Sequence, residues 1–415
     1  MSTVFLHVGQ AGCQIGEALW PALAQERPGS PEFFRTRSEV CPRAILVDAE
    51  PKVVESVLSQ VNGTYSFDPA SAVMTQSGRG GNFALGYSGD SLGHASSLDG
   101  DVEPLWAKAV DRFRQQVEAC HGRHMGTYLA HSLGGGTGSG LGARLAEELR
   151  DAYPKASLLA TSILPISSGE NPMQSYNAIL SLSCMQEVAD GVVLYENDVL
   201  LASASSTDDS KAADHTSGAS LASMNSILVR DIVPHLCPFS QVADLSEVLS
   251  AIVPLPSHKI VQAFSGEVLP SLGPPTSPKP TIDALRLPRS ARNSGNVIAA
   301  RAVVRGAPKQ LLGASSVLKD ELLDRLGGAA PWQPFALDVL CGTQSLRSAP
   351  AARASMLTNW RRVTQVLRGL HARACKKYAS RMFLHWYETY GFGPDAFAQA
   401  FEQVERTIWN YEGSQ

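Results

Sequence analysis

The 415-residue chain contains no Cys-x-x-Cys pair. Its seven cysteines are odd in number and scattered, which excludes a zinc ribbon or a disulfide framework and fits reduced, mostly buried thiols. Cys120-His121 followed by His124 comes nearest to a metal cluster, but no second ligand pair stands at zinc spacing, so a structural or surface role is expected. No apolar run reaches membrane-spanning length, so no membrane contact is expected. There is no excess of basic charge: the net charge is -4 and the isoelectric point near 6.2, which argues against a nucleic-acid partner. Met1 to Leu6 carry neither a basic region nor a cleavage site, so no secretory signal and a cytoplasmic location are expected. No GxxxxGK[ST] occurs, which excludes a Walker-type phosphate loop. Internal repeats are absent too. What remains is 44% hydrophobic and 18% charged, ordinary for a globular protein with a full core, and the length allows two or three domains.

Against those absences stands one dense run, Ala130-His131-Ser132-Leu133-Gly134-Gly135-Gly136-Thr137-Gly138-Ser139-Gly140. An apolar, strand-like segment from Met125 to Ala130 enters it, and a helix-like segment from Leu141 to Tyr153 leaves it. Strand, glycine turn, helix is the layout of a phosphate cradle. Glycine lets backbone N–H groups approach an anion, and the helix N-terminus adds partial positive charge. A flexible Gly/Ser linker would not be clamped between two apolar elements. Gly138-x-Gly140-x-Gly142-Ala143 also fits a loose dinucleotide pattern, but the acid expected about 20 residues later is missing, which disfavours a dehydrogenase.

Three further loops follow strand-like runs. Gly9-Gln10-Ala11-Gly12-Cys13-Gln14-Ile15-Gly16 follows Thr3 to Val8 and opens a helix; it suits a diphosphate or is simply a tight turn. Asp48-Ala49-Glu50 ends the strand Arg43 to Asp48; its carboxylates suit Mg²⁺ beside phosphates, or else cap the helix Pro51 to Leu58. Ser77-Gly78-Arg79-Gly80-Gly81-Asn82 is either a wrap for a terminal phosphate or a surface loop.

Residues 1–205 alternate strands and helices, which predicts an α/β domain with a Rossmann-like parallel sheet and ligands at the strands' carboxyl ends. Residues 206–358 open with a Ser/Asp-rich stretch and a core helix from Leu221 to Val233, then read as a smaller α+β intermediate domain. It contains the Pro-rich segment PSLGPPTSPKPT and strands at Val297 to Val304 and Ala336 to Cys341. Residues 359–415 form a C-terminal helical domain, with a long basic helix over Asn359 to Ala379 and a second over Asp395 to Tyr411. The basic stripe (Arg361, Arg362, Arg368, Arg373, Lys376, Lys377, Arg381) is a solvated helix face or a dock for an acidic surface.

Taken together, GQAGCQIG, ILVDAEP, QSGRGGN, GGGTGSG, SYNAILS, DLSE and FLHWY, in this order along the whole chain, resemble the tubulin family. The resemblance implies binding of GTP or GDP with Mg²⁺. Ser132 and Gly134, Gly135, Gly136, Thr137, Gly138 and Ser139 would hold the phosphates with Gln10, Ala11 and Gly12. Asp48 and Glu50 would lie near Mg²⁺, Gly81 and Asn82 near the γ-phosphate, Gln174 by the ribose, Leu221 by the base, and Asn197 and Asn225 against the guanine edge. In this family a longitudinal neighbour completes hydrolysis, and Glu247 stands where the α-type subunit carries the acid that acts in trans on its neighbour's GTP.

The chain also departs from the family. Ala11 and Cys13 replace the usual Cys and Asn, Gln174 stands where a ribose-facing acid is common, Leu221 where an aromatic stacks, and Val242 where Asn precedes DLSE. A Pro-rich segment near residues 270–280 replaces the usual lateral loop, and the acidic tail is missing from Asn410 to Gln415. These departures resemble a divergent tubulin of the zeta kind, with delta or epsilon as alternatives. They imply a protein of the cytoplasmic cytoskeleton at centrioles or basal bodies, whose partners are other tubulins (delta and epsilon, or alpha and beta). A second reading is a conventional microtubule subunit with polymer-driven GTPase activity.

Overall fold

The computed structural model describes residues 2–36, 39–60, 63–89, 103–169, 171–205, 221–268, 296–307, 309–312, 315–347 and 351–413. The Ser/Asp-rich stretch at 206–220 and the Pro-rich segment at 269–295 lie outside these residues. Twelve strands are described: β1 Ser2–Val8, β2 Phe34–Thr36, β3 Val40–Pro42, β4 Ala44–Asp48, β5 Ala72–Met74, β6 His124–Ser132, β7 Ser157–Leu164, β8 Gly191–Glu196, β9 Ile260–Glu267, β10 Val297–Arg305, β11 Leu337–Gly342 and β12 Arg353–Trp360. Ten of them form a single sheet in the order β11-β10-β12-β9-β8-β7-β6-β1-β4-β5. From β5 to β9 every pairing is parallel; β12 runs antiparallel to both β9 and β10.

Strand β1 (STVFLHV) is buried along its whole length, as a strand covered on both faces must be. Alternate residues of β1 feed two different cores. Val4, Leu6 and Val8 join one with helices Leu105–Glu118, Gly142–Ala152 and Gln174–Val188. Phe5 joins the other with helices Gly9–Glu26, Pro51–Leu58 and Leu221–Leu236. The period of two along a strand produces this split.

The expected intermediate sheet is continuous with the first. Strand β8 pairs with β9 through Val192↔Ile260 and Val193↔Val261. The core helix Leu221–Leu236 packs on Gly9–Glu26, β9 and β12, and so crosses between the halves. The second half also has a cluster of its own beneath helix Ser315–Arg325. The C-terminal helices Val363–Ala379 and Pro394–Gly413 put Leu367, Leu370, Phe397 and Tyr411 into the same core as Val4 and Leu129.

One expected element is divided. The helix anticipated from Asn359 begins at Val363, and Asn359-Trp360 end β12. Asn359 is fully buried and its Nδ2 donates to Ile252 O (2.9 Å) and His258 O (2.6 Å), so it serves as a polar bolt in the sheet. The basic stripe is largely occupied within the chain. Arg368 holds the Glu412 carboxylate with two nitrogens, Arg362 lies over the Trp360 ring, and Lys377 donates to Pro172 O.

Candidate nucleotide site

The sheet order changes direction at β1: the chain goes first to β4 and β5 on one side, then returns to β6 on the other. The crevice at the carboxyl ends of β1 and β6 is therefore a topological switch point, the place where open α/β sheets take ligands. The glycine-rich start of helix Gly9–Glu26 and the glycine run 134–140 both leave the sheet there. Loops after β4, β5, β7 and β8 close around the same crevice, which has a volume of about 690 Å³.

Its walls bring together most of the residues singled out by sequence: Gln10, Ala11, Asp48, Glu50, Gly81, Ser132, Gly134, Gly135, Gly136, Thr137, Gly138, Gln174, Asn197 and Leu221. Gly12, Asn82, Ser139, Asn225 and Glu247 do not line it. Four of these five are engaged elsewhere. Gly12 lies against β6, where an added Cβ would sit 2.3 Å from Ala130 O. Asn82 caps helix Phe83–Ser88, with Oδ1 accepting from Ala84 N (2.8 Å) and Nδ2 donating to Trp386 O (3.1 Å). The Ser139 hydroxyl donates to Gly135 O. Asn225 is part-buried on the core helix. Glu247 stands on a separate helix, Leu245–Ile252, and Arg301 binds its carboxylate.

The glycines divide into two groups. Gly136, Gly138 and Gly140 are required by packing. A Cβ would meet Arg79 O at 2.6 Å from Gly136, Ser132 Oγ at 2.6 Å from Gly138, and Phe83 O at 2.1 Å from Gly140. Gly86 faces the run from the other side, where an added Cβ would sit 2.1 Å from Gly136 O. At Gly135 the nearest atom is Ser132 Oγ at 3.7 Å, so a side chain there would meet only the open crevice. Thr137–Leu141 forms a wide π-type turn before the helix proper, a local feature common at functional sites.

His131 fixes the base of the run. Complete burial pushes its pKa down to about 4, so the ring is neutral. Nδ1 lies 2.9 Å from Gly138 O, which can only accept, so Nδ1–H donates; Nε2 then accepts from Ser162 Oγ at 2.7 Å.

Asn177 was not singled out by sequence reasoning, although it lies within SYNAILS. It is fully buried and makes four hydrogen bonds. Nδ2 donates to Gly81 O (2.7 Å) and Gly134 O (2.8 Å), while Oδ1 accepts from Phe83 N (2.9 Å) and Tyr387 OH (2.6 Å). It ties two glycine loops to the C-terminal FLHWY segment. The signal was available: a lone Asn on an otherwise fully buried helix face must find partners.

Asp48 and Glu50 are the acids on the crevice wall. The expected cap is not made by Glu50, whose side chain makes no bond at the start of Pro51–Leu58. Burial raises the Asp48 pKa to about 6, with nearby Glu50 adding to the rise, while backbone N–H groups at Ala49 and Glu50 oppose it. Among the described residues no trio of His, Cys, Asp or Glu is placed to hold a metal alone. Two carboxylates beside the crevice are the kind of donors that suit a Mg²⁺ taking its other ligands from phosphate oxygens and water. Gln174 Nε2 donates to Ile166 O (2.8 Å), so its amide closes the loop after β7. Leu221 is 56% exposed at the rim. Within the Cys120-His121-His124 group, His124 packs edge-on to Phe113 and Tyr153, Cys120 donates to Gln116 O, and His121 is exposed.

Residues 2–205 match the Tubulin/FtsZ family, GTPase domain. Over 99% of both chains, the sequence is 25% identical to the tubulin delta chain of Homo sapiens. It is 27% identical to the tubulin alpha-1 chain of Saccharomyces cerevisiae, over 97% of this chain and 94% of that one. Against the tubulin gamma chain of the same yeast it is 33% identical, over 48% of this chain and 43% of the relative. The chain's first half is thus a GTPase domain of the Tubulin/FtsZ family, and its similarity to divergent tubulins runs the whole length of the chain. Its tubulin-type GTPase domain carries GTP binding with it, and all the residues lining the crevice at the switch point except Leu221 belong to that domain.

Proposed function

We propose that this chain binds GTP and Mg²⁺ in the crevice, assembles with other tubulins or onto microtubules at centrioles or basal bodies, and hydrolyses GTP only across a subunit contact. The observation that carries this is the separation of Glu247 from the crevice. The crevice's own acids are Asp48 and Glu50, the residues suited to the metal. An acid to polarise the attacking water must then come from elsewhere, and Glu247 is 62% exposed on a different face-forming helix.

The Gly134–Ser139 backbone, with Gln10, Ala11 and the backbone at Gly81, would hold the phosphates; Asn197 with Asn225 would read the base. Bound Mg²⁺ would offset phosphate charge beside Asp48 and Glu50. The full-length similarity to delta chains supports the divergent group of delta, epsilon and zeta tubulins, and we place the chain nearest the zeta kind on its AGCQIG loop.

The test is complementation in trans. Gly135→Ala protein, weakened in the crevice and held at GTP concentrations below its saturation, and Glu247→Gln protein, lacking the acid, are each assayed for phosphate release, alone and mixed, with αβ-tubulin dimers as added neighbours. Each variant alone should be slow, and the mixture should recover turnover. A Glu247→Gln protein as fast as wild type sinks the proposal. A tagged copy imaged in ciliated cells should mark centrioles or basal bodies; label along the cytoplasmic microtubule array would favour a conventional subunit instead.

A further inference from the structure

We infer that Arg301, in the second half of the sheet, is the positioning residue for the Glu247 carboxylate. This rests on the reading of Glu247 given above. Glu247 lies in the first turn of helix Leu245–Ile252, whose start is capped by Asp244 Oδ1 accepting from Ser246 N (3.1 Å). A glutamate so exposed would ordinarily sample many rotamers, and ordering it costs free energy. Here Arg301 Nη2 donates to Glu247 Oε1 at 2.8 Å.

Arg301 is an unusual donor for an exposed acid because its side chain is only 1% exposed. It projects from β10, paired on one side with Asp338 of β11 and on the other with Leu357 of β12. A buried guanidinium demands a counter-charge. Two carboxylates face it: Glu247 at 2.8 Å, and Asp338, whose Oδ2 lies 3.9 Å from Nε. His235, the other titratable group beside it, carries no charge, because burial first and Arg301 second push its pKa down to about 3. Glu247 therefore takes the short bond. One carboxylate oxygen is held by a donor whose own side chain is buried, while most of the glutamate side chain stays open to solvent. That arrangement presents a positioned carboxylate outward, toward whatever subunit abuts this face.

A purely structural ion pair would merely staple the helix to the sheet. The two roles separate in the rate per assembled contact. Wild type, Arg301→Met, Arg301→Lys and Glu247→Gln are co-assembled with αβ-tubulin dimers and pelleted. Phosphate release is then scored per pelleted subunit, and GTP affinity in the remote crevice serves as the check on folding. Arg301→Met should lose about tenfold or more per contact, the scale of a misplaced catalytic group, with GTP affinity unchanged. Arg301→Lys should recover part of the loss, and adding Arg301→Met to Glu247→Gln should cost nothing further. If Arg301→Met fails to bind GTP, Arg301→Gln, which keeps a donor but no charge, replaces it. Wild-type turnover per contact from the uncharged variant, with Glu247→Gln slow, overturns this inference alone. Wild-type turnover from Glu247→Gln overturns the reading on which it rests.

Discussion

Gly135 and Gly140 lie in one glycine run yet should respond in opposite ways to the same methyl group. At Gly140 an added Cβ would sit 2.1 Å from Phe83 O and 2.7 Å from Tyr87 N, both backbone atoms of helix Phe83–Ser88. Backbone cannot swing aside as a side chain can, so the helix must shift. Overpacking of that kind costs about 1–3 kcal/mol or more. At Gly135 the methyl's nearest neighbour would be 3.7 Å away, an ordinary contact, and the backbone φ there is not positive. Gly135→Ala should therefore leave stability within about 0.5 kcal/mol, or raise it slightly by restricting the unfolded chain.

Ligand binding should show the reverse ranking per unit of stability lost. The Gly135 methyl would stand on the crevice wall beside Gly134 and Gly136, where phosphate would approach backbone N–H groups. Blocking one close approach should weaken GTP by about tenfold or more, that is, by about 1.4 kcal/mol or more. The assay pairs chemical denaturation of the nucleotide-free protein with titration of a fluorescent GTP analogue. A Gly135→Ala protein with wild-type GTP affinity would refute the division of the run into packing glycines and ligand glycines. So would a Gly140→Ala protein of wild-type stability.

Asp48 provides a pH test. Its pKa is raised in the folded state, so ionising it opposes folding, and the cost grows as pH rises through the interval from the unfolded value of 3.8 to about 6. At most the penalty at neutral pH is about 3 kcal/mol. Asp48→Asn should stabilise the nucleotide-free protein, and the gain should be about 1 kcal/mol larger near pH 7.5 than near pH 5; a gain independent of pH would exclude this origin. The same variant should lose Mg²⁺-dependent strengthening of GTP binding. Leu221→Tyr should tighten GTP by about 1–2 kcal/mol, the worth of an aromatic contact, and equal affinities would contradict a base-stacking place for this residue. The buried pair Arg305–Glu26 (2.8 Å, 1% and 2% exposed) joins the end of helix Gly9–Glu26 to β10. Arg305→Met should destabilise by about 3–5 kcal/mol, because it strands a buried carboxylate, whereas the double change Arg305→Met with Glu26→Gln should cost less.

The strand–turn–helix order of the first half was legible because each loop sits directly after an apolar run. That order alone predicts the parallel sheet and the crevice at its carboxyl ends. Three things were not legible. Strand β12 carries no strand signal and its last two residues, Asn359-Trp360, read as the start of the following helix, because Arg353–Trp360 lacks the β-branched enrichment that marks strands and is defined instead by pairing on both sides. The joining of the two half-sheets rests on two residue pairs between β8 and β9, a long-range event that no local pattern encodes. And the family resemblance implies a place near the γ-phosphate for Asn82, whose side chain instead caps a helix and holds Trp386 O. Asn is the residue type that suits both jobs, so only its partners can distinguish them.

The packing glycines and Asn177 explain why the C-terminal helices share a core with the sheet. Gly136 and Gly140 let the phosphate run touch the 79–88 segment backbone to backbone. Asn177 then bonds both loops, and Tyr387 bonds Asn177. Tyr387 in turn packs edge-on to Tyr176 and Phe397. A chain of buried contacts therefore runs from the crevice floor to the helices that form the outer layer over this face of the sheet. None of its links is a mobile surface pair: Asn177 and Tyr387 are fully buried, and Phe397 is 1% exposed. Close-packed cores transmit displacement instead of absorbing it. A change in the Gly81–Gly134 separation on loss of a terminal phosphate would have to be met by Asn177, whose four bonds leave no spare donor or acceptor to compensate. The two glycine loops and the seating of Pro394–Gly413 are thus joined by contiguous buried contacts. Asn177→Asp, which turns two donated bonds into repulsions against Gly81 O and Gly134 O, should disturb both ends together.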